Sequence, residues 1–107
     1  MDLYFSNVSD NDGDNPSNWF EDFGASMPHS AVPTAGDTAY LVAGVCTSFT
    51  FSCDAITVSL GVTLTTNSGT IFTNDGTITT NASGGTITAN NGTIETNVSG
   101  ATVTMNT

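Results

Sequence analysis

GVTLTTNSGTIFTNDGTITTNASGGTITANNGTIETNVSGATVTMNT, residues 61–107, is one short theme written several times over. Its aliphatic residues Ile71, Ile78, Ile87, Ile94 and Val103 are spaced alternately by seven and nine residues, so the unit is a pair of segments sixteen residues long. A fixed period of this size identifies a repeat architecture. In each unit a Gly permits a tight corner, Thr-Ile-Thr supplies β-branched residues that suit a strand, and Asn with Gly, Asp or Ser closes the next turn. Side chains alternate along a strand, so each Ile faces one way and its two Thr neighbours the other. Stacked copies give a ladder of Ile inside and Thr outside, which predicts a β-solenoid or an intertwined β-helix.

The ladder is thin. One aliphatic residue in seven or nine is little apolar burial to set against the backbone entropy of ordering the whole segment. This predicts that copies of the chain wind round a shared axis, with Ile71, Ile78, Ile87, Ile94 and Val103 as the oligomer core of a homotrimer whose strand edges are covered. The competing arrangement is a monomeric solenoid of about three coils closed by the N-terminal half.

Charge narrows the function. The 107 residues contain no Lys or Arg against ten Asp and Glu, a formal charge of −10. Nucleic-acid binding needs cationic side chains to displace counterions from phosphates, and adhesion to an anionic membrane surface needs them as well. Neither partner is expected. Lys and Arg salt bridges are impossible, so stability has to come from apolar packing, backbone hydrogen bonds or bound cations. Trypsin finds nothing to cut. The start, MDLYFSNVSD, lacks a basic n-region and a continuous apolar run, and no stretch approaches the roughly 18 apolar residues of a membrane span. A composition of extracellular character without an export signal is that expected of a virion protein, made in the host cytoplasm and carried on the capsid surface, and it also fits a mature fragment of a longer secreted protein.

Upstream of the repeat, residues 3–7 read as a first strand and the polar run after them as a loop. Asn15-Pro16 reads as an N-cap followed by proline at the first helical position, and Gly24 as a stop. A short helix of about two turns is expected between them, with Trp19, Phe20 and Phe23 laid over the open end of the stack together with Leu3, Tyr4 and Phe5. Strands are expected at TAYLVAGV (38–45), TSFTFS (47–52) and AITVSLGVTLTT (55–66). In the last, Ile56, Val58, Leu60, Val62 and Leu64 alternate with small or polar residues, the pattern of a strand with one buried face. The chain therefore divides into a β-rich N-terminal cap and docking head, residues 1–60, and a repeat shaft, residues 61–107.

Asn18-Trp19, a short gap, then Val32-Pro33-Thr34-Ala35-Gly36-Asp37 before an apolar strand resembles the opening of bacterial and phage surface β-helix proteins. Their NW pair and P-x-x-G-D turn belong to the cap on the first coil. The resemblance covers about residues 3–65, and the later GTI-x-TN repeats are similar to such coils. It implies an architecture and leaves activity open. Those proteins continue for many coils, and a chain with few fits a small spike or decoration subunit.

Several constellations carry competing readings. Asp10, Asp12 and Asp14, with Glu21 at the twelfth position, match the ligand spacing of a calcium loop, or make a solvated acidic turn. Cys46 and Cys53 enclose six residues. They are free thiols if the segment is extended, or a disulfide if it forms a hairpin near Phe49 and Thr50. His29 is the only histidine and has no second His to pair with on a metal. In the repeat only Asp75 and Glu95 are acidic and they lie in different units, so no paired carboxylates for glycoside hydrolysis are expected. Thr-x-Thr at 63/65, 77/79, 86/88 and 102/104 invites an ice-binding reading, interrupted by Phe72 and Glu95. The N-x-Ser/Thr sequons at Asn7, Asn81, Asn91 and Asn97 carry no weight without export.

The sequence thus points to a non-enzymatic structural protein of a phage particle, a capsid decoration (cement) or spike subunit. Its expected partners are its own copies and the major capsid or another virion protein. The alternative is an adhesin-like β-solenoid module that binds glycans or ice through Thr and Asn.

Overall fold

The computed structural model describes residues 1–106. The chain is all-β, with 47% of residues in strands and 3% helical, and winds into a β-solenoid of about four turns. Its strands are β1 (Asp2–Ser6), β2 (Trp19–Phe20), β3 (Thr38–Ala43), β4 (Val45–Cys46), β5 (Ala55–Val58), β6 (Thr63–Asn67), β7 (Thr70–Asn74), β8 (Thr77–Asn81), β9 (Thr86–Asn90), β10 (Thr93–Asn97) and β11 (Thr102–Asn106). From β3 onward successive strands alternate between a seven-stranded sheet, ordered β11-β9-β7-β5-β3-β1-β2, and a four-stranded sheet, ordered β10-β8-β6-β4.

The spacing of the aliphatics follows from this winding. Thr70, Ile71 and Asn74 pair with Thr86, Ile87 and Asn90, and Thr77, Ile78 and Asn81 pair with Thr93, Ile94 and Asn97. Sixteen residues make each of these coils, with steps of seven and nine as the two sides, while the coil from Leu64 to Ile78 takes fourteen. All pairings between coils are parallel, and only β2 runs antiparallel, on β1. Seven strands stacked at about 4.8 Å span roughly 29 Å, which accounts for most of the 37 Å long dimension.

Ile71, Ile78 and Ile87 are fully buried within the single chain, between its own two sheets. Their enclosure needs no second copy, which removes the reason given above for a homotrimer: these three line one chain's interior and no interface between chains. Ile94 and Val103, in the last coil, pack against the same core but stay partly open. Two contributions besides the aliphatic ladder fill the interior. The N-terminal strands supply core to the same solenoid through Leu3, Phe5, Leu41 and Val58, and asparagines fill the corners.

Three further expectations are corrected. The two-turn helix is a single 3-10 turn over Pro16–Asn18, with Asn15 Oδ1 accepting from Ser17 N at 3.0 Å. The chain then extends at Trp19 and Phe20, whose backbone pairs with Phe5 and Tyr4. The unpaired edge of β1 offers more backbone hydrogen bonds than a second helical turn, which Glu21 and Asp22 would oppose at its C-terminal end. The alternating run 55–66 is two strands, because Gly61 adopts φ +84 and turns a corner between β5 and β6. That corner leaves Leu60 86% exposed. Residues 47–54 form no strand and instead bring Phe49 and Phe51 together, with ring centroids 4.9 Å apart, over the first coil. Position 61, the boundary proposed between head and shaft, is therefore a corner inside one coil, and both sheets run past it.

Candidate functional site

Asparagine ladders are the feature that reading the sequence missed. Asn67, Asn74, Asn81 and Asn90 sit at the last position of their strands with side chains 0–3% exposed. In one column Asn67 Nδ2 donates to Asn81 Oδ1 at 3.0 Å and Asn81 Nδ2 to Asn97 Oδ1 at 2.8 Å. In the other, Asn74 Nδ2 donates to Asn90 Oδ1 at 2.7 Å and Asn90 Nδ2 to Asn106 Oδ1 at 2.8 Å. Asn74 Oδ1 also accepts from Gly76 N at 3.2 Å, while its Nδ2 reaches Thr93 O at 3.2 Å. A primary amide has two donors and an acceptor with two lone pairs, so it can bond along the stack and to its own turn together. Strict recurrence at the strand-end position was the available signal. Turn chemistry alone accounts for the same recurrence.

The acidic N-terminal loop is tied to the first coil by its own polar groups. Asp10 Oδ1 accepts from Asp12 N at 3.0 Å and from Asn18 Nδ2 at 2.8 Å, and its Oδ2 from Asn15 Nδ2 at 3.0 Å. The Asp12 N–H bond, then the two amides, hold the Asp10 carboxyl below the usual carboxylate range. Asp12 Oδ1 accepts from Asp14 N at 2.8 Å, and Asp14 Oδ1 reaches across to Thr50 N at 2.7 Å. Gly13 donates to Ser48 O at 2.9 Å. A Cβ on Gly13 would run into that same carbonyl.

Glu21 does not join these three. It meets His29 Nδ1 at 2.7 Å on the far side of β2. Among the described residues no group of three or more His, Cys, Asp or Glu is arranged to hold a metal ion. The extended course of Trp19 and Phe20 takes Glu21 to His29, while the Asp side chains tie the loop together.

The aromatic cap divides in two. Trp19 is fully buried, donates Nε1–H to Gly13 O at 2.8 Å, and meets Phe5 and Phe51 edge-on at 5.5 and 5.3 Å. Phe20 is buried as well. Phe23, by contrast, is 71% exposed and rests its edge on Tyr4, which stacks on Tyr40. Met27 and Val8 are also exposed in this N-terminal region.

Both cysteines are free. Burial, reinforced by Asp12 and Asp14, pushes the Cys46 thiol up to about 12, and burial raises Cys53. Neither is disposed to act as a thiolate nucleophile near neutral pH. Asp22 is held below the usual range by the Ser26 hydroxyl and the Met27 N–H. Asp37 is held low by Thr34 N–H and then by the N-terminal amine, 3.3 Å away.

The threonines form the outer surface of both sheets. Thr63/65 and Thr77/79 lie on the four-stranded sheet and Thr86/88 and Thr102/104 on the seven-stranded sheet. Phe72 on β7 and Glu95 on β10 hold the same position in the repeat but fall on opposite sheets, so each interrupts a different face. The chain matches no protein-family model, no curated protein and no solved structure.

Proposed function

We propose that this chain is a non-enzymatic structural protein of a virus particle, a decoration or spike subunit in which the solenoid is a stiff projecting body and the N-terminal end its base. The observation that carries this reading is the filled interior: between the two sheets lie an aliphatic column and two asparagine ladders. A body built this way presents its chemistry on its outside and its ends. Phe23 and Met27, exposed beside the buried Trp19 and Phe20, are suited to docking on a coat protein. The test is co-sedimentation of the purified chain with shells assembled from the coat protein of the same genome. Binding that is lost in Phe23→Ser, with the fold intact, supports the reading. A chain that stays in the supernatant overturns it.

A second reading rests on the separation of Phe72 from Glu95. Each sheet keeps four outward threonines as two successive Thr-x-Thr pairs, a regular hydroxyl surface suited to glycans or ice. A glycan array and an ice-recrystallisation assay test it, and inactivity in both removes it.

A further inference from the structure

The outer face of the seven-stranded sheet carries an aromatic patch at one end. Tyr4 stands between Leu3 and Phe5, and Tyr40 between Ala39 and Leu41, four neighbours that are fully buried, so both tyrosines point outward. They pair across β1 and β3 and their rings stack at 5.2 Å. Phe23 meets Tyr4 at 6.1 Å with the planes at 71°. The same column continues as Thr57 and Thr73, so the patch is confined to the first strands. A tied turn holds Phe23 in place. Glu21 N donates to Met27 O at 2.8 Å and Ala25 N to Asp22 O at 3.3 Å, while Asp22 Oδ1 accepts from Ser26 N and Met27 N at 2.9 Å each. Ala25 sits at φ +57, a conformation that a residue with a Cβ rarely adopts. The turn thus keeps a strained backbone and exposes a large apolar ring, two features that stability does not favour and that gather at binding surfaces.

We infer that Phe23, Tyr4 and Tyr40 form a docking platform for an arginine-bearing segment of a partner protein. Charge selects that occupant. Asp22 precedes Phe23 in the turn, and Asp2, exposed, lies two residues before Tyr4 and so on the same face of the sheet. Eight of the ten carboxylates fall in residues 1–54, and the chain has no Lys or Arg. A second copy would therefore bring carboxylates against carboxylates, with no Lys or Arg to lay on the rings. A neutral apolar partner would strip water from Asp2 and Asp22 without supplying a counter-charge. A guanidinium meets both demands in one approach, because its plane stacks on an aromatic face while its N–H groups donate to a carboxylate. A Lys ammonium is compact and strongly hydrated, and gains less from a flat ring. The outer face of a sheet offers a surface without enclosure, which suits a polypeptide segment better than a small molecule.

Exposure sets the strength of the contact. A ring or a carboxylate at the surface strengthens binding only a few-fold each, so the association is weak and sensitive to salt. The inference rests on the docking role given above to Phe23 and adds the chemistry of what docks. It holds whether or not the partner is a coat protein.

The test is an NMR titration of the isotope-labelled 107-residue chain with a capped peptide of alternating Arg and Gly, and with its Lys counterpart. Salt is held at about 0.15 M, where the general attraction of a polycation for an acidic chain is screened beyond about 8 Å. Amide shifts should move at Tyr4, Phe23 and Tyr40, and the Arg peptide should bind about threefold to fivefold tighter than the Lys peptide. Phe23→Ser should remove that preference, with an unmoved Trp19 indole resonance showing that the fold is intact. Asp2→Asn should weaken the Arg peptide about threefold. Phe72→Ser and Glu95→Gln, at an exposed ring and an exposed carboxylate elsewhere on the solenoid, should change nothing. Equal affinity for the two peptides, shifts centred on the loop from Asp10 to Asp14, a preference that survives Phe23→Ser, or tighter binding to phosphatidylcholine vesicles than to the Arg peptide overturns the inference. The coat-protein reading is judged apart. Shells that fail to bind a chain with the Arg preference overturn that reading alone, and shells that bind a chain without the preference overturn this inference alone.

Discussion

At Asn74 a residue type expected in turns has its whole amide inside the protein, bonded to the next rung, to its own turn and to a neighbouring carbonyl. Truncation to alanine leaves the Gly76 N–H and the Thr93 carbonyl without these partners. Of the groups stranded, the Gly76 N–H and the Asn90 Oδ1 are buried, and at about 1 to 3 kcal/mol for each such group Asn74→Ala should destabilise by about 2 to 4 kcal/mol in denaturant unfolding. Thr88→Val, on the outer face, should stay within about 0.5 kcal/mol. Cys46 offers a second prediction at this scale. Its thiol is raised to about 12 in the folded chain from an ordinary 9.0, so its contribution is complete below pH 9 and is lost as pH climbs toward 12. A thiol reagent at pH 8 should label Cys46 only after unfolding. Cys46→Ala should flatten the alkaline fall in melting temperature.

Among the elements, corners and ends decide more than strands do. Gly61, with φ +84, has open space where a Cβ would project, so Gly61→Ala should cost only the backbone term of about 1 to 2 kcal/mol. Ile78 and Val103 occupy the same place in half-coils on opposite sheets, yet Ile78 is fully buried and Val103 only partly. Ile78→Ala should therefore cost about 2 to 5 kcal/mol, with Val103→Ala well below it, in the same unfolding assay. The repeat strands could be read from Thr-Ile-Thr because period-2 alternation and β-branching agree there. The corner at Gly61 could not, since Ile56, Val58, Leu60, Val62 and Leu64 keep perfect alternation through it, and only a backbone angle places Leu60 outside. Trp19 was legible as part of the cap. Its strand conformation was not, because it depends on the free edge of β1, some fourteen residues earlier in the chain. The asparagine ladders were hidden for a related reason: neighbours along a column are fourteen or sixteen residues apart, and turn propensity already explained each Asn locally.

For the molecule as a whole, ten carboxylates without a Lys or Arg set the response to solvent. Added salt at pH 7 should raise the melting temperature by screening their mutual repulsion. Acid acts through Asp10, Asp22 and Asp37, whose folded values lie below the ordinary 3.8. Groups of this kind stabilise the fold above that value, and the stabilisation disappears as pH drops through their folded range. Thermal melts in low salt should show a loss of stability below about pH 4, reduced in Asp37→Asn.

The register that sets Thr70 beside Thr86 and Thr86 beside Thr102 also makes the polypeptide a ruler graduated in whole storeys. Duplicating or excising sixteen residues would lengthen or shorten the rod by one graduation of about 4.8 Å while every side chain kept its role. An insertion that is not a whole coil, fourteen residues as from Asn67 to Asn81 or sixteen as from Asn74 to Asn90, would rotate isoleucine into solvent and break the amide columns. Height can thus be adjusted by gene duplication alone, in steps whose size is dictated by the hydrogen bond between neighbouring strands.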